Sequence, residues 1–386
     1  MDASGFRRML ILCASSAVAA LSASGFISTA ASLGSTIAPY GPAGLDNPRG
    51  LAFGPNGTLF VAEAGHGGTE CLPPVEGREQ CIGFTSGISA IYAKDGHRVL
   101  SGEFSIAGKD GTGATGLDGI AFDPEGSLFG IVTGATDVLP PSPPPGVSQQ
   151  TLEAARAKIG RLIKLRPGSD SLTTVANVGH FDFQWSKEHK ELEPEQFPDA
   201  NPYGVYAAHG EQFVVDAASN TLDEISGDGS VHVIAFFPNP PVSDAVPTCI
   251  ARGPDGAFYV GELTGGGNAP GASTVWRVVE GQQPQAWAKG LTAVTGCGFG
   301  SDGRFYAVEF STLGFESFEA GTGALVRVPE HSSSPIPVIS NTPGKTDSPL
   351  SFPNGFAAGP NGGLYTSNWS IMPSTAKLGQ VVRIKP

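Results

Sequence analysis

Asn47-Pro48-Arg49-Gly50-Leu51-Ala52-Phe53-Gly54-Pro55-Asn56-Gly57-Thr58-Leu59-Phe60-Val61-Ala62-Glu63 reads as strand, tight turn, strand. Leu51 to Phe53 is short and apolar. Leu59 to Ala62 is apolar and β-prone, and a carboxylate closes it. Between them, Pro55 presets its own φ, while Asn56 and Gly57 tolerate the positive φ that a tight turn needs.

The unit recurs. Leu117 to Phe129 repeats it around Asp123-Pro124-Glu125-Gly126, and a degenerate copy runs from Asn201 to Asp216. Further copies run from Val246 to Glu262, from Thr295 to Glu309 and from Phe352 to Asn368. Each is followed by further strand-like runs: Ser89 to Ala93, Arg161 to Leu165, Thr221 to Ile225, Thr274 to Val278, Ala324 to Val328 and Gln380 to Ile384. Val231 to Phe236 and Ile336 to Ile339 are among the outer runs. Four strands per unit at roughly 40 to 50 residues is the spacing of propeller blades. The expected fold is therefore all-β: a six-bladed β-propeller with four-stranded antiparallel blades. The last unit stops at Pro386 one strand short. Thr36 to Pro39 is expected to supply that strand, closing the ring and removing an exposed sheet edge.

Pro-x-Gly, two apolar residues, Gly-Pro-x-Gly and a Leu-Tyr-Val-Ala-Glu-like run together resemble NHL-type propeller repeats. More specific phrases are Gly44-Leu45-Asp46-Asn47-Pro48-Arg49-Gly50, Glu63-Ala64-Gly65-His66-Gly67-Gly68, Asn201-Pro202-Tyr203-Gly204, Val246-Pro247-Thr248-Cys249 and Val260-Gly261-Glu262-Leu263-Thr264-Gly265. These are similar to the ScyD/ScyE family, named after scytonemin-pigment gene clusters. The resemblance spans nearly everything after the leader and implies a secreted propeller without a well-defined activity.

The 54 glycines and 32 prolines fall mostly at turns, as in a turn-rich β protein. Arg7-Arg8 followed by the run Met9 to Leu21 reads as a signal peptide over residues 1–31, with 32–386 as one propeller domain. That points to a secreted or periplasmic location. The apolar run is too short and interrupted to span a bilayer, and no later run is long enough. Asp2, Arg7 and Arg8 give the leader a net charge of +1, so its removal takes the chain from −13 to −14. Such acidity speaks against nucleic acid and against anionic membrane surfaces. A monomer is expected, with a small molecule or an extracellular partner as its ligand.

Cys71 and Cys81 lie ten apart in a long excursion from Glu63 to Gly87. In an oxidising compartment this favours a disulfide. The rival, a His66/Cys71/Cys81 metal site, needs reduced thiols and a fourth ligand. Cys249 and Cys297 fall on the first strands of neighbouring units. Packed sheets lie about 10 Å apart and a disulfide needs Cα atoms within about 7 Å, so two unbridged buried cysteines are expected. Thr151 to Ile159 reads as a short helix, and a helical turn is expected between Gly179 and Ala200. Excursions at Ser311 to Gly323 and Trp369 to Leu378 follow the second strands of their units. They should crowd one face, where propellers usually carry function.

Two sets of matched positions are candidates for chemistry. Arg49, Asp118, Tyr203, Thr248, Thr295 and Asn354 precede the first strands and should border the channel as a ligand-facing rim. Glu63, Asp216, Glu262, Glu309 and Asn368 end the second strands. Oxygen ligands at one height around a ring suit a hard cation such as Ca2+. The alternative for these five is structural: each caps the turn after its strand through backbone N–H groups. There is no Gly-x-Ser-x-Gly, His-Glu-x-x-His, P-loop or dinucleotide fingerprint, so nothing supports an organic cofactor. Two functional classes remain: an exported binding or accessory module, and a divalent-cation-dependent hydrolase (lactonase- or esterase-like) or lyase working through channel-face carboxylates. The first is favoured because no complete catalytic constellation can be assembled.

Overall fold

The computed structural model describes residues 35–386 apart from 76, 93, 167, 169–171, 195, 197, 239–243 and 266–268. The leader reading, residues 1–31, lies outside the described residues. Six antiparallel sheets form the blades of a propeller. Each copy of the strand-turn-strand unit makes the two inner strands of one blade, beginning with Pro48–Phe53 and Leu59–Glu63 in blade one. Its turn closes through the Gly57 N–H to the Gly54 carbonyl at 2.9 Å and the Gly54 N–H to the Thr58 carbonyl at 2.8 Å. Gly57, Gly126, Gly256, Gly303 and Gly362 hold the same turn position with φ of 79°, 80°, 78°, 73° and 72°. A Cβ would strain each of these corners.

The ring closes as expected. Thr36–Leu45 pairs with Gly379–Lys385, from Thr36 opposite Lys385 to Tyr40 opposite Val381. The chain's two ends thus complete blade six.

The core is divided among the seams between blades. Along Leu59–Glu63, Leu59 and Val61 pack into the seam with blade six, while Phe60 and Ala62 pack into the seam with blade two. This is the two-residue alternation of a strand buried on both faces. Blade five does the same, with Phe305 and Ala307 toward blade four and Tyr306 and Val308 toward blade six.

Near the axis the blades touch backbone to backbone. A Cβ on Gly50 would lie 2.5 Å from the carbonyl oxygen of Asp118 on the next blade. On Gly119 it would meet the Tyr203 oxygen at 2.3 Å, on Gly296 the Asn354 oxygen at 2.3 Å, and on Gly355 the Arg49 oxygen at 2.4 Å. Gly204 has the same relation to Thr248, at 2.8 Å. These glycines form a ring at one register. Blade four alone carries a side chain there, Cys249, and it is bonded to Cys297 of blade five with Cα atoms 5.7 Å apart. The expectation of unbridged cysteines is therefore corrected. The 10 Å sheet spacing holds farther out, but at the innermost strands the glycine contacts bring main chains much closer. Gly261 leaves room for the sulfur: a Cβ there would sit 2.7 Å from Cys249 Sγ.

The excursion from Glu63 to Gly87, expected as a loop, is largely a β-arm. Glu70–Val75 pairs with the start of the 15-residue strand Arg78–Tyr92, placing Cys71 opposite Cys81. Those two form the expected disulfide. Asp95–Ala107 pairs along the same long strand, so blade one has five strands. Helix α1, Gln149–Lys158, is capped by the Ser148 hydroxyl, which accepts the Thr151 N–H at 3.1 Å. It buries Leu152 and Ala155 against the seam of blades one and two. Helix α2, Val178–Glu188, is the helical segment expected before Ala200. No helix among the described residues is long and apolar enough to cross a membrane.

Candidate binding site at the channel mouth

A repeated irregularity places the rim residues. In blade one Pro48 pairs with Glu63, but the next pair is Leu51 with Val61, so the inner strand carries one extra residue. Blades two to five show the same offset at Leu117/Ile120, Pro202/Gly204, Pro247/Cys249 and Val294/Gly296. Arg49, Asp118, Tyr203, Thr248 and Thr295 lie within these bulges. A β-bulge re-aims a side chain that regular pairing would send into a seam. In blade six Asn354 precedes the paired strand, and its N–H donates to the Ser367 carbonyl at 3.2 Å.

All six rim residues line one pocket, together with Thr115 and Asn201. Arg49 Nε lies 2.9 Å from Asp118 Oδ1, and Arg49 Nη2 donates to the Ala114 carbonyl at 2.6 Å. Burial pushes the Asp118 carboxyl up to about 6 despite the guanidinium beside it. Asn354 Nδ2 donates to the Tyr203 hydroxyl at 2.7 Å, linking blade six to blade three on the far side of the ring. The Thr248 and Thr295 hydroxyls donate to the Val294 and Pro353 carbonyls at 2.7 and 3.2 Å. Phe310, Phe315 and Ile371 roof the pocket from the excursions of blades five and six. The enclosed space is about 20 Å³, room for roughly one water molecule.

The five strand-ending residues do not line this pocket. Glu63 Oε2 accepts the Asp46 N–H at 2.6 Å, Glu309 Oε1 the Thr292 N–H at 2.9 Å and Asn368 Oδ1 the Ser351 N–H at 2.7 Å. Asp216 accepts the N–H groups of Asn201, Ala218 and Ser219. Each thus ties down the corner that leads into its own blade's first strand. Glu262 turns the other way, accepting Thr274 N–H at 2.7 Å and Trp276 Nε1–H at 2.6 Å. Burial pushes Glu262 and Glu309 up to about 7. Among the described residues no group of three or more His, Cys, Asp or Glu side chains is arranged to hold a metal ion.

Some features escape sequence reasoning. Thr115 and the apolar roof belong to no matched position, and Asn201 matches Asn47, which does not line the pocket. Asp182 on α2 is fully buried against Asp216 and Asp223 of blade three. Burial, and the two facing carboxylates, push its carboxyl well above the usual range. As the neutral acid it has an O–H to donate to either neighbour. No motif announces this trio, because its members meet only when α2 folds back over the blade.

Chemically, the mouth offers hydrogen-bond donors and acceptors whose charges cancel within the Arg49–Asp118 pair. Among solved structures, the fold is similar to a Trichoderma reesei protein of carbohydrate-active enzyme family AA12, at 10% identity and TM-score 0.55, over 95% of this chain and 100% of that one. It is also similar to a Bacteroides thetaiotaomicron protein of unknown function, at 10% identity and TM-score 0.54, over 91% of this chain and 76% of that one. A candidate oxidoreductase (glucose dehydrogenase) of Thermus thermophilus aligns at 14% identity and TM-score 0.51, over 91% and 100% of the two chains. The likeness is one of fold. No protein-family model and no curated protein matches this sequence.

Proposed function

We propose that this protein is an exported propeller that binds a small, neutral, hydrogen-bonding ligand at the mouth of its central channel. It is a binding or accessory module, in keeping with the ScyD/ScyE resemblance and with two disulfides that suit an oxidising compartment. One observation carries the reading: bulges in five blades, and Asn354 in the sixth, bring six polar residues of five types to a single pocket. Their charges are internally balanced, so a ligand hydroxyl or amide fits better than an ion. The present space holds only a water-sized group, so a larger ligand enters by displacing the Phe315 segment. That segment runs from Gly314 at φ 99° to Phe318 at φ 37°.

The cation-dependent hydrolase or lyase reading places Ca2+ on Glu63, Asp216, Glu262, Glu309 and Asn368. Each of these already holds a donor of its own blade, which supports the structural role instead. Melting with and without calcium tests the choice, because an ion that binds only the folded state raises the melting temperature. No calcium response is expected. A rise that disappears in the Glu262→Gln/Glu309→Gln double variant would install the acids as the site and overturn the binding-module reading.

A further inference from the structure

A cleft of about 330 Å³ opens at the seam where the ring closes, beside the channel mouth. Ile371 lines the mouth, and the next residue, Met372, lines the cleft. The volume lies within the range of small-molecule sites. Three segments build it. The corner between Thr36–Leu45 and Pro48–Phe53 contributes Leu45 and Asp46, the chain after Glu63 contributes His66, and the blade-six excursion contributes Trp369, Met372 and Lys377.

The polar groups are held from behind. His66 Nδ1 lies 2.5 Å from Asp46 Oδ2. The Asp46 N–H donates to Glu63 Oε2 at 2.6 Å, and the His66 N–H donates to Thr85 Oγ1 at 2.9 Å. In the tautomer that donates Nδ1–H to Asp46 Oδ2, Nε2 is left as an acceptor of fixed direction. Asp46 is engaged by His66, while Lys377 is exposed and has no partner among the described residues. Lys377 is therefore the cation that this cleft offers a ligand's carboxylate. The apolar wall is also anchored. Trp369 is half-buried and meets Phe352 edge-on at 6.0 Å, and Phe352 belongs to the aromatic cluster over the mouth.

We propose that the seam cleft binds a small organic acid, with its carboxylate on Lys377, its apolar or aromatic body against Trp369, Met372 and Leu45, and a hydroxyl donating to His66 Nε2. This site is separate from the channel mouth and does not depend on what binds there.

Mandelate carries all three groups, phenylacetate lacks the hydroxyl, and mandelamide lacks the charge. Calorimetric titration of the full chain should show one mandelate per chain, with phenylacetate and mandelamide each weaker. Lys377→Gln should weaken mandelate roughly fivefold, the scale of a partly exposed ion pair, and Lys377→Arg should retain it. Lys377 is exposed, so neither change threatens the fold. His66→Asn should bring mandelate down to the affinity of phenylacetate. Absence of saturable mandelate binding would overturn the proposal. So would equal affinity in Lys377→Gln, equal binding of mandelamide, or loss of binding in Asn354→Ala with Lys377→Gln unaffected, which would move the site to the mouth.

Discussion

Replacing Glu309 by Gln should flatten the pH dependence of this protein's stability. Burial holds the Glu309 carboxyl at about 7 in the native state against an ordinary 4.5, with one backbone donor, Thr292 N–H, to relieve it. The native state therefore keeps a proton that the unfolded chain gives up. The stability this contributes is fully present below about pH 4.5 and is lost as pH rises through about 7. The gap of about 2.5 pH units, at about 1.4 kcal/mol per unit, amounts to about 3 kcal/mol. Gln keeps the carbonyl that accepts Thr292 N–H but cannot titrate. Its buried amide adds a penalty that does not change with pH, so the diagnostic is slope and not level. Urea unfolding at a series of pH values, with the disulfides intact, should show the variant gaining on the wild type by up to about 3 kcal/mol between pH 4 and pH 8. Parallel curves would refute the argument, since they would mean that Glu309 is already ionised in the native protein well below neutrality.

Gly119→Ala should destabilise by about 1 to 3 kcal/mol or more, because its new methyl would meet the Tyr203 carbonyl oxygen, a main-chain atom with little room to retreat; a neutral effect in chemical denaturation would mean the inner strands are looser than described. Removing the Cys249–Cys297 bridge by double Ala substitution should cost about 4 kcal/mol on loop entropy, and removing Cys71–Cys81 about 3, since the sequence separations are 48 and 10; a reversed order of melting temperatures would contradict this. Arg49→Met leaves Asp118 buried without its cation and should cost about 3 to 5 kcal/mol at neutral pH. The loss should shrink toward pH 4, where Asp118 protonates, and a pH-independent loss would point to packing instead.

The blades are readable because each needs only local signals. Gly54-Pro55-Asn56-Gly57 marks a turn wherever it occurs, and Leu59 to Ala62 is apolar on both faces whichever blades flank it. What stays hidden depends on neighbours distant in sequence. The register of Gly50, Gly119, Gly204, Gly296 and Gly355 is visible in the repeats, but its meaning lies in the carbonyls of the next blade. Without that contact, ordinary sheet spacing overstates the Cys249–Cys297 distance. The segment between Glu63 and Gly87 reads as a loop, yet the opposed Cys71 and Cys81 fasten it as a β-arm. The rim residues are legible as matched positions at the start of each inner strand, although five of them lie inside those strands and only Asn354 precedes its own. The extra residue that turns each toward the axis shows only when pairing partners are counted.

The glycine ring also sets a fixed gauge. Six contact points at one height approximate a hexagon, whose radius equals its side. With neighbouring main chains in direct contact there, the backbone stands about one such contact spacing from the axis. Side chains did not set that bore and cannot change it: trimming Arg49 would empty the mouth without widening it. Residues at the mouth are therefore free to differ from blade to blade, and to be exchanged by design, while the aperture they guard keeps one calibre. Only the insertion of another blade would enlarge it.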